Sequence, residues 1–254
     1  MRFEIKYIVP ESKIKNLREM LKPFVRPDKY ILDRNRRSYT VRSVYFDTPD
    51  LLYYREKIEG VPYRLKLRIR TYNTPRQNAK VFFEIKRKHR IPMTKDRASY
   101  SMDQTMHFLR MGEVDDVVEQ EDPRSDNTKR FLYHLHRDNL HPTVLVVYDR
   151  EAYESVFDNS VRITLDKRLR SAVVRDVEEI YREDLLSVMQ GFFILEVKYN
   201  KKYPEWMRLI VNSLDLKQQA ASKYCMSMEN HPEIFHMDHW TELLEFKKRL
   251  DQRA

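Results

Sequence analysis

The sequence predicts an α+β fold built on an antiparallel β-barrel with helices packed outside it, and three observations carry that expectation. Residues 63–72 read Tyr-Arg-Leu-Lys-Leu-Arg-Ile-Arg-Thr-Tyr, so Arg64, Lys66, Arg68 and Arg70 alternate with Leu65, Leu67 and Ile69 at the two-residue period of a strand. The same alternation recurs around Glu4 and Lys6, Glu84 to Lys88, Arg162 to Asp166, and Glu196 and Lys198, and the polar face in most of these strands mixes cations with a carboxylate. One such strand suits a solvated sheet edge equally well. Independent solvent faces seldom repeat one composition, whereas a sheet rolled on itself points one residue of each pair into a shared lumen.

The first strand, with Arg2, Glu4 and Lys6 on its polar face, leads into Pro10–Phe24, where Ile14, Leu17, Met20 and Leu21 fall at helical spacing. This is an amphipathic helix for the barrel exterior. Residues 26–37 read as loop with a short strand around Tyr30. Tyr39–Phe46 is a strand, and Asp47-Thr-Pro-Asp begins a helix, with Asp47 or Thr48 as cap and Pro49 in the first turn; Gly60 stops it. A turn-rich loop over 73–79 joins the cationic strand to a strand over 81–90. Beyond Pro92, Lys95-Asp-Arg97 reads equally as exposed loop or as cations at a tunnel mouth. Residues 103–141 are a helical insert, whose His136-Arg137-Asp138 shares only its letters with a kinase triplet, since no glycine-rich loop accompanies it. Strands resume at Thr143–Arg150 and Val161–Leu165, residues 176–187 stay open between helix and hairpin, and Phe192–Tyr199 is the last strand. Tyr203–Leu214 is helical through Trp206 and Ile210, and His236–Leu250 is an amphipathic tail helix through Trp240 and Leu243. The expected organisation is one tunnel domain over 1–228, containing the 103–141 insert, and a C-terminal amphipathic helix within 229–254.

Composition narrows the function. A net charge of +9 and a pI near 9.4 predict affinity for anions. The cations sit on alternating strands without a groove-reading helix, which argues against sequence-specific nucleic-acid recognition. Only three glycines occur, Gly60, Gly112 and Gly191, so neither a Walker-A loop nor a dinucleotide fingerprint is possible. Phosphate must be bound by side chains, through Arg forks and Lys point charges. A single cysteine, Cys225, the lack of a signal-peptide core and the lack of a long apolar run lead us to expect a cytoplasmic location and no transmembrane segment.

If the charged faces point inward, Arg2, Lys6, Arg64, Lys66, Arg68, Arg70, Lys86, Lys88, Arg150, Arg162 and Lys198 meet only Glu4, Glu84, Asp166 and Glu196. Like charges at that density are costly unless an anion or water relieves them. The expected guest is a polyanion with a divalent cation: triphosphate, nucleotide or polyphosphate. Arg68, Arg70, Lys86, Arg150 and Arg162 are the leading candidates to hold the phosphates, each with an ion pair inside the barrel as its alternative role.

The succession Arg2-Phe-Glu-Ile-Lys-Tyr, Ser43-Val-Tyr-Phe-Asp-Thr, Arg64-Leu-Lys-Leu-Arg-Ile-Arg, Phe83-Glu-Ile-Lys-Arg-Lys, Tyr148-Asp-Arg-Glu-Ala-Tyr, Val161-Arg-Ile-Thr-Leu-Asp, Leu195-Glu-Val-Lys and Ser222-Lys-Tyr resembles the VTC domain. That domain is the polyphosphate polymerase branch of the CYTH, or triphosphate tunnel metalloenzyme, superfamily. The resemblance implies an antiparallel tunnel barrel, Mn²⁺ or Mg²⁺, and transfer of the ATP γ-phosphate onto a growing polyphosphate chain. It also implies that Lys6, Lys198, Ser222 and Lys223 surround the phosphates, with Arg64, Lys66 and Lys88 extending their path, and that Glu196 holds the metal. Glu4 and Glu84 are secondary metal candidates, Glu84 more readily orienting a neighbouring Lys, and Asp166 is weaker. Many CYTH hydrolases open with Glu-x-Glu-x-Lys; here Arg2 stands at the first Glu, which fits the polymerase branch better. Added phosphate-sensing and membrane parts of eukaryotic relatives are not seen, so a free-standing, bacterial-type protein is expected. The alternatives are a CYTH-type tripolyphosphate or nucleoside triphosphate hydrolase, and a non-catalytic polyanion-binding module.

Overall fold

Ten antiparallel strands make one sheet in the computed structural model, which describes residues 3–32, 37–73, 79–89, 93–115, 122–157 and 160–235. The strands are β1 (Phe3–Pro10), β2 (Val25–Pro27), β3 (Tyr39–Asp47), β4 (Tyr63–Tyr72), β5 (Val81–His89), β6 (Met93–Tyr100), β7 (His141–Ser155), β8 (Arg162–Val173), β9 (Leu186–Ser187) and β10 (Phe192–Tyr199). The hydrogen-bonded path runs β1-β10-β8-β7-β3-β4-β5-β6, with β2 added to β7 and β9 to β8. Arg2 and the tail helix expected over His236–Leu250 lie outside the described residues.

The sheet is rolled. Lys86 on β5 feels the charges of Glu4, Lys198 and Glu196 on β1 and β10, the strands at the far end of the path. The predicted barrel nevertheless has a seam, because β1 and β6 are not hydrogen-bonded to each other among the described residues. Residues 218–221 take the open edge of β1 instead. Gln218 bridges Tyr7, the Gln219 N–H donates to the Lys6 carbonyl at 3.0 Å, and Lys6 Nζ donates to the Ala221 carbonyl at 3.0 Å.

The apolar member of each alternating pair faces outward beneath helices. Leu67, Ile69, Phe83 and Ile85 pack with Phe108, Phe131 and Leu132 of the helices Met102–Met111 and Ser125–Arg137. Phe131 meets Phe83 edge to face at 5.0 Å. On the opposite side Tyr7, Ile163, Leu165, Leu195 and Val197 pack with Leu17 and Leu21 of Ile14–Leu21 and with Met207 and Ile210 of Glu205–Ser213. Each such side chain contributes roughly 1.5–3 kcal/mol on burial. Reversing the sheet would forfeit both clusters and bury cations against them, so the alternation itself decides which face is lumen.

A third apolar cluster lies inside. The helix Lys223–Glu229 places Tyr224, Cys225 and Met228 against Val41, Val144, Val146 and Tyr148 of β3 and β7, so that it stoppers one side of the bore. Tyr224 stacks on Tyr45 at 5.0 Å and donates its phenol to the Asp47 carboxylate. Asp47 also accepts from the Tyr53 and Tyr54 N–H groups at 2.8 and 2.9 Å, while Thr48 Oγ1 accepts from Leu52 at 2.8 Å. Both expected caps thus serve the helix Leu52–Glu59, which ends on Gly60 at φ +77°.

Three local expectations change. Tyr30 sits in the helical turn Lys29–Leu32, the short strand of that region being Val25–Pro27. Residues 176–187 form a 3-10 turn, Val177–Tyr181, and then β9. Lys95-Asp-Arg97 is not loop but the middle of β6, paired with Lys86, Ile85 and Glu84 of β5, and Lys95 and Arg97 line the cavity.

Candidate functional site

The rolled sheet encloses a cavity of about 1440 Å³, lined from eight strands and from residues 218–224. Sixteen Lys and Arg residues line it, against two carboxylates, Glu4 and Glu196. The wall includes fourteen of the residues singled out in the sequence, Lys6, Arg64, Lys66, Arg68, Arg70, Lys86, Lys88, Arg150, Arg162, Lys198, Ser222, Lys223, Glu4 and Glu196, whereas Glu84 and Asp166 lie behind it. The geometry separates them into groups.

One group closes around Glu84, which is fully buried. Arg68 donates through Nε and Nη2 to Oε2 at 2.7 and 2.5 Å, while Lys95 Nζ and Arg97 Nε lie 2.5 and 3.2 Å from Oε1. Burial opposes the charge, but Arg68, Arg70 and Lys95 outweigh it and hold the carboxyl far below the usual range. Oε2 takes both Arg68 hydrogen bonds, and Oε1, which has no hydrogen-bond partner among the described residues, is ion-paired with Lys95 and Arg97, so Glu84 orients the cations around it. Arg68 also donates to the Tyr45 phenol at 2.7 Å, and Arg70 to Ser43 Oγ at 3.0 Å and the Tyr148 phenol at 3.4 Å. Both guanidinium groups are therefore fixed before any ligand arrives.

A second group surrounds Glu196. Lys198 Nζ is 2.7 Å from it, with Arg150 and Lys223 at 3.7 and 3.9 Å. Burial again opposes ionisation and is overcome, here by Lys198, Lys6, Lys223 and Arg150. Arg150 forks onto Asp166 at 2.6 and 2.7 Å, and Lys223 Nζ reaches the same carboxylate at 2.5 Å. That commits Asp166 to ion pairing and removes it as a metal candidate. Glu4 lies 3.0 Å from Lys6 and 3.5 Å from Lys198. Burial would discharge Lys6, but Glu196 and Glu4 raise its ammonium above the ordinary lysine range.

Four lysines are held the other way: Lys66, Lys86, Lys95 and, at the exposed margin, Lys88. Arg68, then burial, then Lys198 push Lys86 well below its ordinary value, and it has no ion-pair partner among the described residues. Burial brings Lys66 down to about 8, with Lys6 and Lys57 adding to it; its Nζ donates to Ser222 Oγ at 3.0 Å and lies 5.0 Å over the Tyr224 ring. Burial also brings Lys95 to about 8, Arg68 and Arg97 outbidding part of the Glu84 attraction. The cavity carries more positive charge than it can comfortably ionise.

The remaining candidates sit at the margins. Arg64 and Lys88 face each other across β4 and β5, Lys88 being exposed. Arg162 lines the wall but donates to Asp28 at 2.7 Å, so it is an ion-pair partner first. Lys95 and Arg97, read from the sequence either as loop or as mouth cations, join the wall, and the residues not foreseen are Tyr45, Tyr148 and Thr164. The alternation Lys95-x-Arg97-x-Ser99 was a usable signal for Lys95 and Arg97.

The donor set fits a hard divalent cation. Glu196 and Glu4 share Lys198 between them, and the Thr164 hydroxyl, opposite Glu196 in register, is buried without a hydrogen-bond partner among the described residues. Oxygen donors of this kind suit Mg²⁺ and Mn²⁺, which take one or two carboxylates and complete their shell from phosphate and water. No group of three metal-ligating His, Cys, Asp or Glu side chains occurs among the described residues, so the ligand would bring most of that shell.

No curated protein matches the sequence. Among solved structures, the putative adenylyl cyclase HpAC1 from Hippeastrum, described as having a dominant triphosphatase activity, is 16% identical with a TM-score of 0.50, over 91% of this chain and 96% of its own. The PH1819 protein from Pyrococcus horikoshii OT3 is 16% identical with a TM-score of 0.48, over 90% of this chain and 99% of its own. The likeness to HpAC1 is one of fold. The VTC domain model matches residues 1–231, nearly all of the described chain. The chain belongs to the VTC domain family.

Proposed function

We propose that the chain is a metal-dependent polyphosphate polymerase that moves the γ-phosphate of ATP onto a growing polyphosphate chain within the cavity. The lining supports this reading: sixteen cations against Glu4 and Glu196 are best neutralised by a ligand with phosphate following phosphate. Phosphoryl transfer asks a protein mainly for alignment and charge neutralisation. Arg68 and Arg70, held by Glu84, Tyr45 and Ser43, present fixed forks to phosphate oxygens. Arg150, Lys6, Lys198, Ser222 and Lys223 converge from the other wall. The polyanion raises Lys66, Lys86 and Lys95 back toward their ordinary values and so favours their charged forms. Mn²⁺ or Mg²⁺, held by Glu196 and Glu4, would neutralise charge between neighbouring phosphates. The terminal oxygen of the acceptor attacks the γ-phosphorus, the bond to the β–γ bridging oxygen breaks, and ADP leaves. The attacking oxygen is already anionic, so no carboxylate need act as base. Glu84 and Asp166, both committed to ion pairs, suit that economy.

The same proposal takes residues 1–228 as the tunnel domain, with the 103–141 insert and the 229–254 segment as additions. It places the protein where ATP is, in the cytoplasm; no helix among the described residues is long and apolar enough to cross a membrane. The competing reading is hydrolysis of a triphosphate, the activity ascribed to HpAC1, which shares the fold. Purified protein is incubated with ATP and either metal, and the products are sized on a gel. A ladder of long-chain polyphosphate is expected; ADP with free phosphate alone would replace the polymerase by a hydrolase, and binding without turnover by a polyanion-binding module.

A further inference from the structure

Ser222 and Lys223 reach the cavity from the helix Lys223–Glu229 and its cap, not from a strand, so contacts outside the sheet ladder must fix them. The first turn is held through Lys223 on Asp166 and Tyr224 on Asp47. The far end is held by a relay of side chains. The His231 N–H donates to the Met228 carbonyl at 3.0 Å, which turns the chain back at the end of the helix. The ring then lies 2.9 Å from Ser171 Oγ of β8 through Nε2, and 3.0 Å from Glu233 Oε1 through Nδ1. A carboxylate only accepts, so Nδ1 carries the proton facing Glu233, and in the neutral ring Nε2 accepts from the Ser171 hydroxyl. Serine, histidine and glutamate in that order are the parts of a nucleophilic triad. They do not form one here, because Ser171 is fully buried, His231 is 2% exposed, and neither lines the cavity.

We infer that His231, anchored on Ser171, is a positioning residue that sets where Ser222 and Lys223 stand in the cavity. The inference rests on the proposed function, in which both of those residues meet phosphate. β8 is shaped for the task. Asp166 and Leu169 are three residues apart, a spacing that puts them on opposite faces of a regular strand. Arg168, at φ +49°, sits in a bulge where β8 carries one residue more than the facing stretch Val147–Asp149 of β7. Beyond the bulge Leu169 joins Tyr224, Cys225 and Met228 in the interior cluster, and Ser171 takes His231. One strand therefore grips both ends of the helix, through Asp166 on Lys223 and through Ser171 on His231. What the helix offers a phosphate depends on its orientation. Ser222 Oγ accepts from Lys66 Nζ at 3.0 Å and from the Cys225 N–H at 3.3 Å, so both lone pairs are used and its own proton is left to donate. A roll of the helix would turn that proton away and shift the Lys223 ammonium, which stands 2.5 Å from Asp166 and 3.9 Å from Glu196.

A double-mutant cycle read by calorimetric titration with inorganic tripolyphosphate tests this. Lys223→Ala alone is expected to weaken binding about tenfold, and His231→Ala alone about fivefold. With His231→Ala already present, Lys223→Ala should cost only about twofold more, because the ammonium it removes is out of place. Ser171→Ala should behave like His231→Ala, and His231→Gln, whose amide reaches Ser171 as Nε2 does, should bind like the wild type. Urea unfolding of each variant separates loss of position from loss of the fold. If His231→Ala does not fold, the cycle is run with Ser171→Ala, which removes a hydroxyl and nothing else. Additive losses in the cycle, or wild-type affinity in both Ser171→Ala and His231→Ala, would overturn the inference. Wild-type protein that binds no tripolyphosphate would defeat the proposed function and this inference together; binding with an additive cycle would defeat only the role of His231.

Discussion

Glu84 and Glu196 are both buried carboxylates ringed by cations, yet they stand in different relations to the cavity. Glu84 lies behind the wall, with Arg68, Lys95 and Arg97 all within 3.2 Å. Glu196 lies on the wall, with only Lys198 close and Arg150 and Lys223 held off at 3.7 and 3.9 Å. The first is a clasp that fixes guanidinium groups; the second retains oxygen capacity for something that enters. Charge alone does not distinguish a structural carboxylate from a functional one. The number of cations in close ion pairs with it does.

The contrast is open to attack by mutation. Glu84→Gln should cost the most, about 3–5 kcal/mol of stability, because several buried cations lose their counter-charge together; urea unfolding reads this directly. Its pH dependence has a defined sign: the native carboxyl is depressed, so its contribution is present at neutral pH and declines as pH falls through the unfolded carboxylate value near ~4.3. Glu196→Gln should instead keep an unfolding midpoint closer to wild type and lose about 100- to 1000-fold in metal-dependent turnover. Equal destabilisation by the two would dissolve the distinction. Lys86→Met comes next. It removes a crowded cation without an ion-pair partner among the described residues, so unfolding should be unchanged or harder, while tripolyphosphate binds about tenfold more weakly.

Smaller still is the pH response of binding. Lys66 and Lys95 sit at about 8 in the ligand-free protein. A bound polyanion raises both, so binding should take up protons between pH 8 and 10, and affinity should fall as pH rises through that window. Calorimetry in two buffers of different ionisation enthalpy measures the uptake. The least effect is expected from Lys88→Ala at the exposed rim, about twofold at low salt and less as salt is added.

Much of this site was legible because a period of two is unambiguous when a strand carries four cations. Arg64 to Arg70 announced an inner face, and Leu65, Leu67 and Ile69 announced the outer one. β6 was hidden by its composition, since Asp96 and Thr94 on the outward side are as polar as Lys95 and Arg97 on the inward side. The fate of Glu84 was equally hidden: nothing local says that Lys95 and Arg97 lie across from it, and only the β5–β6 register brings them there. Ser222 and Lys223 belong to no strand, so periodicity is silent about them and resemblance alone brought them in. The seam was illegible for the same reason, being made by an irregular segment whose hydrogen bonds go to the strand farthest from it in sequence.

That segment bears on how the sheet closes. β1 is the first strand of the described chain, but both of its neighbours, β10 and residues 218–221, follow it only after every other strand. Lys6 has Glu4 beside it on the same strand, but its carbonyl and the rest of its side-chain contacts wait for Glu196, Gln219 and Ala221. A nascent chain halted before residue 218 would have an open trough in place of a pocket. The pocket thus closes only once residues 218–221 are in place, and the longest-range contacts in the fold are the ones that complete it.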